Sequence, residues 1–316
     1  MKKKMVLANF NIVFINKETE EPMLEYFDNI IYPAFTSEII KKSKDTEYLL
    51  KNVEVLDLGG EDYALVGNIV KKTVLEVKSN LDENMQLIEE DNKYPTAPFS
   101  SFCIYLKNHR MLYVHNQKGS PDLKSFKATI YYIINKYIGS VNKELRLQNK
   151  ETLPIPIINV VGIPLEHNIK QVLGGIKKVN RLTLKFYPLN GDIDLSGMFG
   201  NMTTELRKRV GSKNGEVVLK SPDSIDGIAE VLEQAGGTVE PVFNVTYPNK
   251  STATIKNDSI SERLEIETVG SSIEEELAYI CKEGKNMNTM TYTNDSHNNI
   301  YNKNKSKVIP FVRRQI

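Results

Sequence analysis

Residues 121–147, PDLKSFKATIYYIINKYIGSVNKELRL, are the stretch that decides most about the fold. Their apolar residues recur at steps of three and four from Leu123 to Leu145, which is the period of an amphipathic helix. We expect Ser120 to cap this helix and Pro121 to occupy its first turn. At about 100° per residue, four basic residues fall on the side opposite the apolar one: Lys124, Lys136, Lys143 and Arg146. The stretch therefore predicts one long helix with an apolar face and a cationic face.

The chain before this helix favours strands and hairpins. Alternating apolar residues predict a strand over residues 5–16, and a helix over 20–32 and a strand over 47–58 follow. A hairpin is expected with arms at 62–70 and 73–79 around Lys71 and Lys72, then a charged loop at 82–93. A second hairpin joins FCIYLK to MLYVHN immediately before the helix. These patterns predict a sheet against which the helix packs.

After a linker at 147–154, strands and helices alternate. Helices are expected over 164–174, 195–210 and 223–235, a hairpin from ATIKN to RLEIETV, and a last helix over 272–282. The asparagine-rich end lacks apolar periodicity and is expected to be mobile. The predicted class is α+β or α/β, with mixed sheets and packed helices in two domains. We expect an N-terminal domain over 1–148, a C-terminal domain over 153–284 and a mobile tail over 285–316.

Composition excludes several classes of protein. The chain has 316 residues, a net charge of +1, two cysteines and four histidines. These values exclude a globally basic coat protein, a disulfide scaffold and a multi-cysteine zinc module, and we expect no metal and no cofactor. Lys2, Lys3 and Lys4 precede an apolar stretch that alternates like a strand, unlike a signal peptide. Residues 153–165 contain three prolines and are too short to span a bilayer. We therefore expect a cytoplasmic protein.

The small net charge hides a strong asymmetry along the chain. Residues 1–100 carry a net charge of −6, whereas residues 101–220 carry +11. Phosphate binding depends on local cationic density, so the middle of the chain is the expected DNA surface. Lysine outnumbers arginine 33 to 8, which favours contacts with the DNA backbone over bidentate contacts with bases.

Basic residues after the long helix extend the expected DNA surface. They are Lys170, Lys177, Lys178, Arg181, Lys185, Arg207, Lys208, Arg209 and Lys213. Two other interpretations stay open. The triplet 207–209 could complement the dipole at the end of a helix, and the whole basic block could pair with acidic regions of another subunit.

Motifs of known catalytic chemistry are scarce. The sequence contains no Walker A, GxGxxG, HExxH or GxSxG motif. Glu76 and Lys78 form an E-x-K pair, with Asp62 upstream, as in nucleases whose carboxylates hold Mg²⁺ while the lysine stabilises charge at the scissile phosphate. The alternative is an ordinary alternating strand, which such a charged chain produces often. We expect a protein that is not an enzyme.

Three segments carry a resemblance to a known family. They are PFSSFCIYLKNHRMLYVHNQKGS, LPIPIINVVGIPLEHNIKQVLGGIKKVNRLTLKF and SSIEEELAYICKEGK. With the order of elements over roughly 60–285, they resemble RexA, the soluble component of the phage lambda Rex exclusion system. KwaB, the DNA-binding component of the Kiwa system, is a second possible relative. The asparagine-rich end departs from what the RexA family leads us to expect.

The resemblance implies an anti-phage protein that is a homodimer, binds DNA without sequence preference and acts with a small membrane partner. The charge distribution and the resemblance lead to the same hypothesis. We expect a sequence-independent binder of double-stranded DNA that works in phage exclusion or abortive infection. The alternatives are a Mg²⁺-dependent nuclease and an interaction protein that does not bind DNA.

Overall fold

The computed structural model describes residues 2–17, 19–190, 206–261, 263–267 and 272–315. In these residues the chain forms one sheet of eleven strands and one of four, with helices packed on both. The predicted class of mixed sheets with packed helices is confirmed. None of the helices in these ranges is long and apolar enough to cross a membrane.

Strands from both ends of the sequence build the larger sheet. They are β1 (Lys2–Asn16), β2 (Thr19–Pro22), β3 (Lys41–Ser43), β4 (Thr46–Asp57), β5 (Tyr63–Leu81), β6 (Leu87–Thr96), β7 (Phe99–Tyr105), β8 (Arg110–His115), β9 (Ile155–Gly162), β14 (Arg263–Glu267) and β15 (Val312–Gln315). The main path runs β14-β1-β8-β7-β5-β4-β15. Strand β15 pairs with β4 in parallel, and the other pairs are antiparallel.

Helices lie on both faces of the larger sheet. The helices with their bounds are α1 (Tyr32–Thr36), α2 (Leu123–Leu147), α3 (Glu166–Gly174), α4 (Ile225–Gln234), α5 (Ile273–Lys285), α6 (Asn288–Thr291) and α7 (Asp295–Asn304). A 3₁₀ turn at Met23–Tyr26 and a π-helical turn at Phe27–Ile31 lead into α1, where one helix was predicted over 20–32. Helices α1 and α2 cover one face, and α5 covers the other.

This layering explains the burial of β1. Phe10, Ile12 and Phe14 pack on the side of α1 and α2, while Met5 and Leu7 pack on the side of α5. The predicted alternation is confirmed, but both faces of the strand are apolar and buried because the sheet is covered twice.

The smaller sheet consists of β11 (Gly215–Lys220), β10 (Lys178–Phe186), β12 (Val239–Thr246) and β13 (Thr252–Lys256), in that order and antiparallel throughout. Helices α3 and α4 pack on one of its faces. Along each strand, the residues that alternate with the buried ones point to the opposite face of the smaller sheet. Most of the helix predicted over 195–210 lies outside the described residues.

The smaller sheet is an insertion in the larger one. The chain leaves the larger sheet at the end of β9, which pairs with β1, and forms the smaller sheet. After β13 it returns to the larger sheet and pairs with β1 again as β14. Gly162 permits this return, because a Cβ there would lie 2.2 Å from Ser261 Oγ. The boundary expected at 148–153 therefore does not separate the two sheets. The hairpin expected from ATIKN to RLEIETV is wrong, because β13 and β14 belong to different sheets.

Strand β5 also differs from its prediction. No turn forms at Lys71 and Lys72, and the strand runs unbroken from Tyr63 to Leu81. The loop expected over 82–93 is shorter, because β6 begins at Leu87 and pairs with the far half of β5.

The segment 285–316, expected to be mobile, is folded over its described residues. Met290, Tyr301 and Val308 are buried, and β15 extends the larger sheet. The Tyr301 hydroxyl donates to the Glu61 carbonyl at 2.9 Å. Isolated apolar residues and two buried polar residues, His297 and Asn304, hold this segment, so it carries no helical period that a sequence scan would detect.

Candidate nucleic-acid interface

A groove of about 1350 Å³ lies where the larger sheet, α2 and the smaller sheet meet. Its walls come from the start of β1, the loop 116–120, the first turns of α2, the end of β9 and the return segment 256–261. Segments far apart in sequence thus form one concave surface.

The alternation of side chains along β1 determines which of its first lysines face the groove. This end of the strand pairs with β8 on one side and β14 on the other. Lys3 points inward, where its Nζ donates to Glu276 at 2.7 Å, while Lys4 is exposed in the groove. Lys2 lies 3.7 Å from Glu265. One lysine of the three is therefore structural.

A tight turn places α2 at the groove. Gly119 has a φ of 85°, a conformation that glycine adopts without strain, and Lys118 beside it is exposed. Asp122 caps the helix by accepting from the Ser125 amide at 2.7 Å. The prediction of Ser120 as the cap is wrong, because its hydroxyl accepts from the Gln117 amide within the turn.

Lysine predominates among the charged residues of the groove, with seven lysines against three acids in its described lining. The exposed lysines that make no ion pair with any described residue are Lys4, Lys118, Lys124 and Lys256. Because an unpaired cation releases only solvent counterions when an anion approaches, these four are the lysines of the groove that could contact an anion without breaking an ion pair.

Lys127 is held differently from these four. Its Nζ donates to Asn159 at 2.8 Å and lies 3.7 Å from Glu240. Burial lowers the pKa of Lys127, although Glu240 opposes the shift, and the nearby charge of Lys185 lowers it further. Lys127 joins α2 to the smaller sheet, and Lys185 of the predicted set lies in the same neighbourhood.

Helix α2 carries its predicted cations on its outer side. All four are exposed, opposite the buried side formed by Phe126, Ile130 and Ile134. Lys124 lines the groove, and the other three continue along the helix away from it. Sequence reasoning missed the two exposed tyrosines on the same helix, Tyr131 and Tyr132.

Several of the basic residues predicted after the long helix are engaged with acids and are not free surface cations. Lys170 lies 2.5 Å from Glu166 and 2.7 Å from Asp226, and these partners raise its pKa. Arg207 is buried against Glu20, and Lys208 lies 3.7 Å from the same carboxylate. The assignment of Arg207 to a DNA surface is wrong, because a buried charge requires a partner and Glu20 supplies it.

The remaining predicted cations do not line the groove. Lys185 is half-buried, and the exposed ones are Lys177, Lys178, Arg181, Arg209 and Lys213. Arg181 lies on the open face of the smaller sheet, opposite Lys220 of β11. The structure thus separates the basic block into the groove, the outer side of α2 and this scattered set.

The residues of the nuclease hypothesis are not brought together. Asp62 precedes β5, whereas Glu76 lies fourteen residues along the strand, which is roughly 45 Å at the rise of an extended chain. Glu76 lies 3.5 Å from Lys93, and Lys78 lies 2.7 Å from Asp91. Within the described ranges, no three acidic, histidine or cysteine side chains are placed to hold a metal ion.

Cys103 and Cys281 form a disulfide, with Cα atoms 6.0 Å apart. It joins β7 to α5 inside the core that lies between the larger sheet and α5. The sequence did not predict this bond, because nothing in a separation of 178 residues shows that the fold brings the two cysteines together.

Comparison with known proteins does not show a family for this chain. No family model matches the chain. It is 24% identical over 191 residues to a component of the ion-translocating oxidoreductase complex of Buchnera aphidicola subsp. Baizongia pistaciae, an alignment that covers 58% of this chain. The chain spans about a third of the length of that relative. This similarity is too low and too partial to show a family.

Proposed function

We propose that this protein binds double-stranded DNA without sequence preference, and that the groove at the start of α2 holds the phosphate backbone. The observation that carries the proposal is the set of four exposed lysines around one groove, none of which is engaged by a described acid. Lys136, Lys143 and Arg146 extend the same charge along α2.

Lysine-based contacts account for the proposed lack of sequence preference. An ammonium group is a point charge that interacts with phosphate oxygens wherever they lie, whereas base reading requires planar, bidentate donors or amides. The groove lining contains seven lysines and no arginine among the described residues. Affinity then arises from counterion release and falls as salt rises.

The biological setting we propose rests on the resemblance to RexA. In that setting the protein is cytoplasmic, acts as a homodimer in an anti-phage exclusion system, and transmits DNA binding to a small membrane partner. Neither hydrolysis nor a cofactor enters the proposal.

A charge-reversal variant tests the groove. Lys118, Lys124 and Lys256 are changed together to Glu, and duplex binding is measured by fluorescence anisotropy. A control variant reverses three exposed lysines away from the groove, Lys44, Lys51 and Lys282, so that both variants have the same net charge. We expect the groove variant to lose at least tenfold in affinity and the control to bind almost normally. Equal losses in both would mean that only net charge matters and would overturn the assignment of the groove.

A further inference from the structure

Residues 73–96 form a two-stranded arm that projects from the larger sheet. Strand β5 pairs with β4 as far as Lys72 and with β7 as far as Val70. From Thr73 onward it pairs only with β6 among the described residues. Isolated two-stranded ribbons are marginally stable in water, so an arm of this length requires support from packing.

The register places apolar pairs at both ends of one face of the arm. Leu75 lies opposite Tyr94 and Leu81 opposite Leu87, with Val77 between them on the same face. A register shift after Val77 keeps these pairs aligned. The side chains of Leu75, Leu81, Leu87 and Tyr94 are 50–75% exposed. Two exposed apolar pairs on one face, with Ser79 and Glu89 between them, mark an interaction surface.

The opposite face of the arm carries cross-strand ion pairs in its middle and the exposed Val74 and Ile88 toward its ends. Glu76 lies opposite Lys93, and Lys78 bonds to Asp91. These ion pairs engage the charged groups of that face, whereas Glu89 on the other face makes no ion pair with a described residue. Over residues 73–96 the arm has two lysines and six acids, so it is both apolar and acidic.

Helix α2 presents the complementary surface. Tyr132, Lys136, Gly139, Lys143 and Leu147 follow one another at steps of three and four, and all are exposed. Nothing lies within 4 Å of where a Cβ at Gly139 would be, so the middle of this stripe is open. The stripe has apolar residues at both ends and cations between them.

The two surfaces also agree in length and area. The helical stripe spans roughly 23 Å and each strand of the arm roughly 27 Å. In a two-fold dimer the contact occurs twice, since each copy supplies one arm and one helix. With two strands about 10 Å wide together, the two contacts bury on the order of 1,100 Å², near the lower limit for a specific interface.

We infer that the arm packs against the outer stripe of α2 in a second copy of this chain. The docking face of the arm covers Tyr132 and Leu147 with its apolar ends, and the acid between those ends, Glu89, faces Lys136 and Lys143. Docking does not depend on DNA binding. One consequence rests on the proposed function: in the dimer the arm covers Lys136 and Lys143, so DNA binds at the groove, which the arm leaves open.

Sedimentation velocity of the full chain tests the docking. A variant with Leu75, Leu87 and Tyr94 changed to Ser should sediment as a monomer. A matched variant with Val74 and Ile88, exposed residues of the other face, changed to Ser should remain a dimer. Circular dichroism checks that both fold. A monomeric wild type, or a dimer unaffected by the first variant, would overturn the inference.

A disulfide cross-linking experiment identifies the surface of the second copy that the arm contacts. Leu75→Cys and Tyr132→Cys are made on separate chains and mixed under mild oxidation. Cross-linked heterodimers are expected, because the native cysteines are already paired. Cross-linking of Leu75→Cys chains only to one another would show arm-to-arm packing and overturn the assignment to α2. Loss of DNA binding in the groove variant with an intact dimer separates this inference from the proposed function.

Discussion

Arg207 and Glu20 form a buried ion pair, with Nη1 and Oε1 2.5 Å apart and side chains 3% and 16% exposed. Arg207 Nη2 also donates to Glu20 Oε2 at 2.8 Å, and Nη1 donates to the Ser212 carbonyl at 2.9 Å. The pair joins the helical turn Arg207–Arg209 to β2 of the larger sheet. A basic triplet in the sequence is therefore not a triplet of surface cations.

Removing Arg207 should destabilise the protein. Arg207→Ala removes the bidentate partner of the largely buried Glu20 and leaves, among the described residues, only Lys208 at 3.7 Å, and breaking a buried pair typically costs about 3–5 kcal/mol. Urea unfolding followed by circular dichroism measures it. Arg209→Ala is the matched control and should change the free energy of unfolding by about 1 kcal/mol or less, because Arg209 is exposed. Equal stability of the two variants would contradict the buried pair.

Reduction of the disulfide should lower stability. The bond closes a separation of 178 residues, and chain-entropy accounts assign roughly 5 kcal/mol to such a closure. We expect the urea midpoint to fall when reductant is added. A Cys103→Ala/Cys281→Ala variant should show no such response to reductant. An unchanged midpoint in wild-type protein whose thiols are shown to be reduced would rule out a stabilising bond.

Asp62 should make stability depend on pH. Burial raises the pKa of Asp62, although Lys107 and Lys285 oppose the shift. The folded state thus binds a proton that the unfolded state releases above its ordinary pKa of about 4. This contribution is lost as pH rises through the folded pKa, so lowering the pH toward about 4 should recover it. Asp62→Asn should flatten that part of the stability profile, and an unchanged profile would contradict the assignment.

Purified protein should leave DNA intact in the presence of Mg²⁺ or Mn²⁺. Asp62 lies just before β5 and Glu76 lies far along that strand, and Lys78 forms an ion pair with Asp91. Gel analysis of supercoiled plasmid provides the measurement. Metal-dependent nicking that disappears in Glu76→Gln would restore the nuclease hypothesis.

Local periodicity was enough to predict α2, β1 and the hairpin of β7 and β8. In each of these elements, the pattern of apolar residues within a short stretch is enough to show which side is buried. The cationic side of α2 followed from the same period. The Asp122 cap was missed because Ser120 is an equally good candidate by type, and only the turn geometry distinguishes them.

Features that depend on distant partners could not be predicted. Strands β13 and β14 are close in sequence but pair in different sheets, since both sides of β1 had to be filled. The burial of Arg207 depends on Glu20, which lies 187 residues away. The groove likewise required the start of β1 and the segment around Lys256 to meet at α2. Charge density pointed to residues 101–220, which supply the loop 116–120 and the first turns of α2 to the groove, but not to the walls from β1 and the segment 256–261.

The salt dependence of binding to unrelated duplexes tests the central proposal most directly. Anisotropy titrations with two duplexes of unrelated sequence, between about 50 and 200 mM salt, give the slope of log affinity against log salt. We expect the same affinity for both duplexes and a slope of about −4 or steeper, as four or more phosphate contacts require. The groove variant should lower that slope by about one for each lysine removed. Binding that does not change with salt, or that is strong for only one duplex, would contradict the proposed function.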